Sequence, residues 1–570
     1  MTEIFEIADR SVANYARLDP TLASIVGLPA DEAAMTDYSP DGFAARANLQ
    51  RLALESLGKA RVEGEADRIA RDVMRERLQV SVDGFNAGEH FLALNGFTGP
   101  FGSIRLVFDQ MPRQTERDWR DIARRLSKAP ASLGSFEQTV ERALERGVHP
   151  APRQLEDLAR QGEVWSGQAP GSRPVFGALV AAYDASGIEN AALRTELEAA
   201  AGAATDAYAA SARRLRAAAA RSTARDACGP ERYALLSRSA NGATLNLIET
   251  YEWGWDELHR IEAEMAATAD RILPGASIDA VVDFLETDAE RGFDNSETYR
   301  RWLQQIHDET LVALRGTHFD IDQRIMSVEC VIPPAGGGMA AFYLPPSEDL
   351  SRPGRTFWPI GTMKWFPRWR FVTTAYHEGV PGHHLQTGGL LCLGDRLSRF
   401  QRAFAWVSGH GEGWALYAER LMAELGYLEN PDYYLGMLKA QAFRAARVVI
   451  DIGLHLDLPI PAAESFHPGE TWNYDLALEF GIERSGNPRE FMASEIVRYL
   501  AQPAQAISYK VGERYWLEAR EAAKQRMGPS FTLKEFHTRA LALGPMGLDQ
   551  LKTEIARSIE HPRAGERVPG

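Results

Sequence analysis

The stretch from Tyr376 to Gln386 constrains this 570-residue chain more than any other. It reads YHEGVPGHHLQ, with three of the chain's 13 histidines close together and a glutamate directly after the first of them. Neutral imidazoles bind Zn²⁺, and a neighbouring glutamate that is not a ligand can take a proton from an activated water. In the common motif His-Glu-x-x-His, the two ligands lie one helical turn apart. The stretch therefore predicts a metal-binding helix.

The spacing of these histidines differs from the common motif. Pro381 takes the fourth position after His377, and the next two histidines are His383 and His384. On a regular helix, a seven-residue separation would bring His384 to the face of His377. Pro381 and Gly382 favour a kink or a bulge, however, and a bulge would bring His383 to that face instead. Both histidines stay open as the second ligand.

A zinc site with an open coordination position needs a third protein ligand. Glu412 is the first candidate because it is flanked by glycines and begins a helical run shortly after the paired histidines. His410 and Glu419 are competitors for this role. Glu419 lies about two turns beyond Glu412 on the same helical face, so it is also placed to orient a ligand. Zinc is favoured over iron or manganese by the types of ligand.

A polar stripe follows on a largely apolar helix. Arg447, Asp451 and His455 recur at every fourth position and therefore share one helical face. Burying three such groups is costly unless they pair with one another or line a cleft. A buried ion-pair network is as good an interpretation of this stripe as a functional one.

A last cluster of polar residues extends from Glu495 to Gly512. Hydrolysis of an amide needs a donor aimed at the oxyanion that develops on the attacked carbonyl. Tyr509 is our first candidate for this donor, and His455 is the second. Arg498 and Lys510 are candidates for binding a substrate carboxylate.

Two short strands are predicted where the composition changes near residue 318. The segments 325–332 and 339–344 are rich in β-branched and aromatic residues, and the glycines 336–338 would join them as a flexible loop. An edge strand that carries Tyr343 beside the metal helix would pair with an extended peptide. A plain structural hairpin is the equal alternative.

The rest of the chain has mostly helical periodicity. The segment 190–222 predicts one long helix from its Ala, Glu, Leu and Arg content, and Thr115 is a predicted N-cap. The segment 231–315 is predicted as helices with breaks at Gly254 and Pro274.

Composition excludes several classes of protein. The net charge of −15 argues against nucleic-acid binding, and no apolar run approaches the length of a membrane span. Residues 1–20 are typical of an amphipathic helix and not of a secretory signal. The three cysteines are scattered and odd in number, which predicts no disulfide framework. We therefore expect a cytoplasmic protein that binds neither membrane nor nucleic acid.

Together these motifs resemble the DUF885 family over nearly the whole chain, and more widely the helical gluzincin-type zinc peptidases. In those peptidases a Gly-His follows the His-Glu, which would match Gly382-His383, and the oxyanion donors come roughly a hundred positions after the glutamate ligand, which supports Tyr509. The motifs that carry the resemblance are Leu18-Asp19-Pro20, Tyr343-Leu344-Pro345-Pro346, His377-Glu378, Pro381-Gly382-His383-His384, the run from Glu412 to Glu419, the run from Arg447 to His455, and the run from Arg498 to Gly512.

The resemblance implies a mainly α protein with two helical lobes around a deep cleft and a small β-sheet or hairpin beside the metal helix. We divide the chain into an N-terminal helical lobe, 1–317, and a metal-site lobe, 318–570, intertwined as one unit. A deep cleft would exclude folded proteins, so short peptides are the expected substrates.

We thus predict a zinc-dependent peptidase with one ion, in which a water activated by the metal and by Glu378 attacks the peptide carbonyl. The alternatives are a metal- or peptide-binding protein without catalysis and a metal-dependent amidohydrolase that acts on a non-peptide amide. The predicted site comprises the metal ligands His377, His383 or His384, and Glu412; the catalytic residues Glu378, Tyr509 and His455; and the substrate-binding residues Arg498, Tyr343 and Lys510.

Overall fold

The computed structural model of the chain describes residues 1–96, 99–333 and 340–560. The predicted mainly α fold with a small β-sheet is confirmed. No helix within the described residues combines the length and the apolar character needed to cross a bilayer.

The chain forms two compact units. The first comprises Met1–Cys228 with Val497–Gln502, and the second comprises Gly229–Ile496 with Pro503–Gly570. The predicted boundary after residue 317 therefore falls inside the second unit.

The first unit is helical throughout most of its described length. Two sequence predictions are confirmed there: the segment 190–222 contains one long helix, α10, and Thr115 caps α6 in a capping box with Asp118. The helices are α1 Glu3–Leu18, α2 Pro20–Ile25, α3 Pro40–Lys59, α4 Glu65–Ala87, α5 Pro100–Gln110, α6 Glu116–Leu126, α7 Ala129–Glu145, α8 Pro152–Trp165, α9 Gly177–Ala185 and α10 Ala191–Ala219.

The core of the first unit is built around α10. Its alanines present little side-chain bulk, so that neighbouring helices approach closely, while Leu197 and Tyr208 fill the space between them. The Tyr208 hydroxyl donates a hydrogen bond to the carbonyl of Phe101 at 3.0 Å. The ring of Phe101 stacks on Trp165 at a centroid distance of 5.5 Å.

The second unit carries the remaining helices, although the last residues of α21 belong to the first unit. These helices are α11 Pro230–Asn241, α12 Leu247–Ile272, α13 Ile278–Thr287, α14 Ser296–Leu314, α15 Arg368–Glu378, α16 Gly389–Cys392, α17 Arg399–Phe404, α18 Ser408–Glu424, α19 Pro431–Leu456, α20 Tyr474–Ser485, α21 Arg489–Ala501, α22 Ser508–Met527, α23 Leu533–Leu541 and α24 Leu548–Glu560.

Gly254 does not break a helix, contrary to the sequence prediction. It lies inside α12, and a Cβ at this position would come within 2.9 Å of Val448 on α19. The glycine therefore permits a close approach of two long helices. The other predicted break is confirmed, because α12 ends at Ile272, just before Pro274.

Among the residues that the structure describes, five short strands form two small sheets. β1 Gly292–Phe293 pairs antiparallel with β5 Phe366–Pro367. The second sheet has the order β2-β4-β3, in which β2 runs parallel to β4 and β3 runs antiparallel to it. Its strands are β2 Val328–Val331, β3 Phe342–Leu344 and β4 Gly354–Phe357.

The two strands predicted from the sequence are present, but they do not form a hairpin. β4 lies between them, and the sequence analysis missed it because a short strand that follows a proline carries little alternating pattern. The predicted glycine loop at 336–338 lies outside the described residues.

Candidate metal centre

The helix that carries His377 ends one residue later. The Gly379 amide closes α15 on the carbonyl of Ala375 at 2.9 Å, and the Gly382 amide then bonds the carbonyl of Tyr376 at 3.0 Å. A Cβ at Gly382 would overlap the His377 carbonyl, so glycine is required at this position. We expected a kinked or bulged helix. The helix is instead interrupted by a turn over residues 379–382.

Helical structure resumes immediately after this turn. His383 has helical backbone angles, and a short π-helix follows from His384 to Gly388. The interruption changes the rotation of the second segment relative to α15, so helical spacing no longer decides which histidine faces His377.

The structure brings His377, His383 and Glu412 together. The Nε2 atoms of His377 and His383 each lie 3.4 Å from Oε2 of Glu412, and one donor atom from each residue falls within 4.8 Å of the others. Two ligand atoms at Zn²⁺ bond lengths in tetrahedral geometry are separated by about 3.3 Å. The three donors therefore fit a tetrahedral cation with one position left for a water or a substrate.

His384 lies outside this group. Its Nε2 donates a hydrogen bond to the carbonyl of Ile325 at 2.8 Å, and its Nδ1 accepts one from the Tyr343 hydroxyl at 2.9 Å. The ring is completely buried, and this burial lowers the pKa of His384 to about 4. A neutral imidazole with both nitrogens bonded has no lone pair for a metal, so of the two histidines it is His383 that joins His377 and Glu412.

A second carboxylate orients His377. The Nδ1 of His377 donates to Oε1 of Glu419 at 2.8 Å, and the other oxygen of Glu419 accepts a hydrogen bond from the Thr373 hydroxyl. This arrangement fixes the tautomer in which the bare Nε2 faces the metal position. Sequence reasoning anticipated Glu419 but missed Thr373, which lies one turn before His377 on the same helical face.

The electrostatics of the group favour positive charge. Burial disfavours a charged His377, but its hydrogen bonds to Glu412 and Glu419 outweigh that effect and raise the pKa to about 10. Burial also disfavours ionised Glu412, yet the two imidazoles hold its pKa well below its ordinary value. A site that attracts a proton so strongly also attracts a cation, which would displace that proton.

Glu378 lies beside the three donors without being one of them. Its side chain is buried, and burial raises the pKa of its carboxyl group, while the charges of His377 and His383 oppose the rise. A carboxyl whose pKa is raised toward neutrality is suited to accept and return a proton.

Three glycines hold Tyr509 against the site. A Cβ at Gly512 on α22 would overlap the carbonyl of Gly409, and a Cβ at Gly413 would overlap the backbone of Gly512. The backbones of α18 and α22 therefore touch directly, one residue after Glu412. As a result, the Tyr509 ring lies 6.2 Å from the His377 ring at an interplanar angle of 21°.

The polar stripe on α19 is divided between two environments. Arg447 pairs with Glu495 at 2.7 Å and lies over the Tyr509 ring, with its Cζ 4.9 Å from the centroid. Asp451 instead accepts hydrogen bonds from the Tyr233 hydroxyl at 2.6 Å and from the Ala504 amide at 2.8 Å.

His455 belongs to the buried group around Asp451. Its Nε2 lies 3.8 Å from Oδ1 of Asp451, and both side chains are completely inaccessible to solvent. Its ring packs against Tyr233 at 5.6 Å. These contacts correspond to the ion-pair alternative of the sequence analysis, and the role of His455 at an oxyanion stays a prediction.

Lys510 and Arg498, the two residues predicted to bind a substrate carboxylate, contact other groups of the protein. Lys510 is 1% exposed, and its ammonium donates to Gln441 at 2.6 Å and pairs with Glu257 at 2.8 Å and with Glu513. Its charge is therefore matched inside the protein, and the role of Lys510 in binding substrate stays a prediction. Arg498 belongs to the first unit, where its guanidinium lies over the Tyr499 ring at 4.9 Å.

His410, the competitor of Glu412, also lies outside the group of three donors. Its Nδ1 accepts a hydrogen bond from Gln386 at 3.1 Å, and burial lowers its pKa to about 4.

Trp414 supports the turn between the two histidines and was missed by sequence reasoning. Its Nε1 donates to the carbonyls of Pro381 and Gly382, at 2.8 and 3.2 Å. The helix that provides Glu412 therefore also holds the chain just before His383. No sequence pattern signals this contact, because it joins positions far apart in the chain.

Known proteins give the following comparisons. The family described as "Bacterial protein of unknown function (DUF885)" matches residues 20–555. A solved structure of a candidate lipoprotein from Colwellia psychrerythraea superposes with a TM-score of 0.83 at 21% identity and covers 98% of each chain. A candidate lipoprotein of unknown function from Shewanella oneidensis gives 0.72 at 16% identity, with 98% of this chain and 100% of that one covered.

Both structures share the fold of this chain, and at these identities the likeness extends to the fold alone. No curated protein sequence matches the chain. The family match extends over nearly all of its length, and the chain therefore belongs to the DUF885 family.

Proposed function

We propose that the protein is a zinc-dependent peptidase of the gluzincin type that hydrolyses short peptides. One observation carries the proposal: Nε2 of His377, Nε2 of His383 and the Glu412 carboxylate converge at the spacing of tetrahedral zinc ligands. A bound Zn²⁺ would polarise the scissile carbonyl and make a water molecule acidic near neutral pH.

The residues around the three donors have complementary roles in this proposal. Glu378 accepts the proton of the attacking water and passes it to the leaving amine. Tyr509 donates a hydrogen bond to the oxyanion that forms on the attacked carbonyl. Glu419 keeps the His377 ring in the orientation that binding requires.

The edge strand β3 favours a peptide as the substrate. Within the described residues, β3 pairs with β4 on one side and forms an edge of the sheet. Tyr343 of this strand is bonded to His384, directly next to the proposed ligand His383. An extended peptide can add to such an edge through main-chain hydrogen bonds, which places its carbonyl groups near the metal position.

The orientation of His384 weighs against a purely structural metal site. Binding by both His383 and His384 would have closed the fourth position, as in structural zinc sites. Both nitrogens of His384 are used elsewhere, so the donors leave that position open.

The test compares Glu378→Gln with the wild type after both are loaded with Zn²⁺. We expect about one zinc per chain in each protein and, in the variant, a fall in peptide hydrolysis of about 10²–10⁴-fold, which is the usual contribution of a general base. Glu554→Gln provides the matched control, because Glu554 is also buried but pairs with Arg557 on α24.

A peptide library and a set of non-peptide amides would serve as substrates for all three proteins. Full turnover by zinc-loaded Glu378→Gln would refute the mechanism. Turnover of the non-peptide amides alone would establish the amidohydrolase alternative, and zinc binding without any turnover would establish the binding-protein alternative.

A further inference from the structure

Trp406 is an exposed aromatic residue in an otherwise buried segment. Its side chain is 50% exposed, whereas Ala405 and Val407 on either side are 0% and 1% exposed. The Ala405 amide bonds the carbonyl of Phe400, and the Gly411 amide bonds that of Val407. The exposure of Trp406 therefore does not arise from a loosely held backbone.

The Trp406 indole lies directly beside the candidate metal centre. Its ring is 6.1 Å from the His383 ring, and a Cβ at Gly411 would overlap the indole. Gly411 immediately precedes Glu412. The indole thus covers the backbone next to one proposed ligand and contacts the ring of another.

Tyr343 contacts the same histidine. Its ring centroid lies 6.5 Å from that of His383, with the ring planes only 26° apart. The Tyr343 hydroxyl is bonded to His384, but Nε1 of Trp406 has no hydrogen-bond partner among residues 1–96, 99–333 and 340–560. Trp406 therefore offers both an apolar face and a donor next to the metal position.

A single exposed aromatic residue is ordinary on a protein surface. Trp406 differs from the other exposed large apolar residues because it contacts a proposed metal ligand. Aromatic side chains in such positions provide apolar contact area at a low cost in conformational entropy.

We propose that Trp406, with Tyr343, forms an aromatic subsite beside His383 that binds a bulky apolar side chain flanking the scissile amide. This inference rests on the proposed function and names its substrate class: short peptides with an aromatic or large aliphatic residue next to the cleaved bond. Trp406 is then the residue that determines specificity.

The kinetic test uses two peptides that differ only in one residue beside the cleaved bond, phenylalanine or glycine. We expect Trp406→Ala to lower the ratio of kcat/KM for the phenylalanine peptide to kcat/KM for the glycine peptide by about 10–100-fold. Trp406→Phe should keep most of the preference. Trp253→Ala removes a partly exposed tryptophan that packs with Arg514, and it should leave the ratio unchanged.

A binding measurement separates this inference from the proposed function. Calorimetry with N-acetyl-phenylalanine amide and N-acetyl-glycine amide, on metal-loaded wild type and Trp406→Ala, does not depend on turnover. Selective loss of the phenylalanine ligand in Trp406→Ala would support the subsite even if no peptide were hydrolysed. Equal affinities in the two proteins, or equal losses for both ligands with circular dichroism unchanged, would overturn it.

Discussion

Two buried groups of histidine and carboxylate lie in the second unit, and their charges are matched in different ways. In the candidate metal centre, one oxygen of Glu412 faces the Nε2 atoms of two imidazoles, and the side chains of Glu412 and His383 remain 17% and 11% exposed. In the other group, Asp451 accepts hydrogen bonds from a tyrosine and a backbone amide, and His455 is fully buried.

The difference distinguishes the candidate metal centre from the group around Asp451. In the metal centre, lone pairs from three residues are directed at one another, which is unfavourable unless a proton or a cation lies between them. Around Asp451, hydrogen-bond donors of the protein already match the negative charge. The presence of buried histidine and acid is thus less informative than the direction of their lone pairs.

The largest expected difference between the two groups is in metal content. We expect His377→Ala to lower bound zinc from about one equivalent to nearly none, because two remaining donors hold the ion poorly. His455→Ala should keep about one equivalent. Mass spectrometry of metal content after dialysis would measure both.

The neighbouring histidines extend this comparison. His383→Ala should lose zinc as His377→Ala does, whereas His384→Ala should retain it. The opposite result for this pair would show that His384 is the ligand.

The free energy of unfolding should be sensitive to substitutions in the group around Asp451. We expect Asp451→Ala to lower the free energy of unfolding by about 3–5 kcal/mol, because it leaves a buried tyrosine hydroxyl and a buried amide without their acceptor. Urea unfolding with and without zinc would measure this loss. Zinc should still stabilise Asp451→Ala but should no longer stabilise Glu412→Ala; stabilisation of both variants would contradict the assignment of Glu412.

A smaller effect should follow from the residue that orients His377. We expect Glu419→Gln to weaken zinc binding by about 10–100-fold, as is usual when the hydrogen-bond partner of a metal-binding histidine is changed. Thr373→Val, which removes only the next hydrogen bond, should weaken it less. Competition with a chromogenic chelator would rank the two, and an unchanged affinity in Glu419→Gln would show that Glu419 has no such role.

The last prediction concerns acid stability. His537 accepts a hydrogen bond from Tyr417, and burial, reinforced by the charge of Arg520, lowers its pKa from 6.5 to about 3. Below pH 6.5 the unfolded chain binds a proton that the folded chain does not. His537 therefore does not reduce stability above that pH. Below it, the free energy of unfolding falls by up to about 1.4 kcal/mol per pH unit toward pH 3.

Unfolding between pH 4 and 6 would test this prediction, and His537→Gln should flatten the slope. In the metal-free protein, His377 has the opposite sign: its pKa is raised, so its contribution is complete below pH 6.5 and disappears as the pH rises toward 10. An unchanged slope in His537→Gln would mean that this histidine is protonated in the folded state.

The sequence indicated the residues of the candidate metal centre better than their arrangement. Residue types and local spacing indicated His377, Glu378 and Glu412, because these features are encoded within short segments. The choice between His383 and His384 depends on the turn at Gly379–Gly382, where a few backbone angles reorient everything that follows. A periodicity argument presupposes a continuous helix, so it could not predict these backbone angles.

Contacts between distant segments were the other part of the structure that the sequence could not predict. Lys510 was expected to meet substrate, but Gln441 and Glu257 surround it, and neither lies near it in the sequence. Trp406 carried no sequence signal, because an exposed tryptophan and a buried one look alike in a single chain. The predicted cap Thr115 is confirmed because capping is a local interaction.

The hydrogen bonds from the Trp414 indole to the turn before His383 have a thermodynamic consequence. Glu412 and Trp414 lie on one helix, so the segment that supplies the acidic ligand is tied to the segment that supplies the second imidazole. In zinc fingers, by contrast, the ion itself brings such segments together, and the apo form unfolds. Here the protein bears the entropic cost of loop closure when it folds. We therefore expect the ion to exchange reversibly with a chelator while the tertiary structure persists.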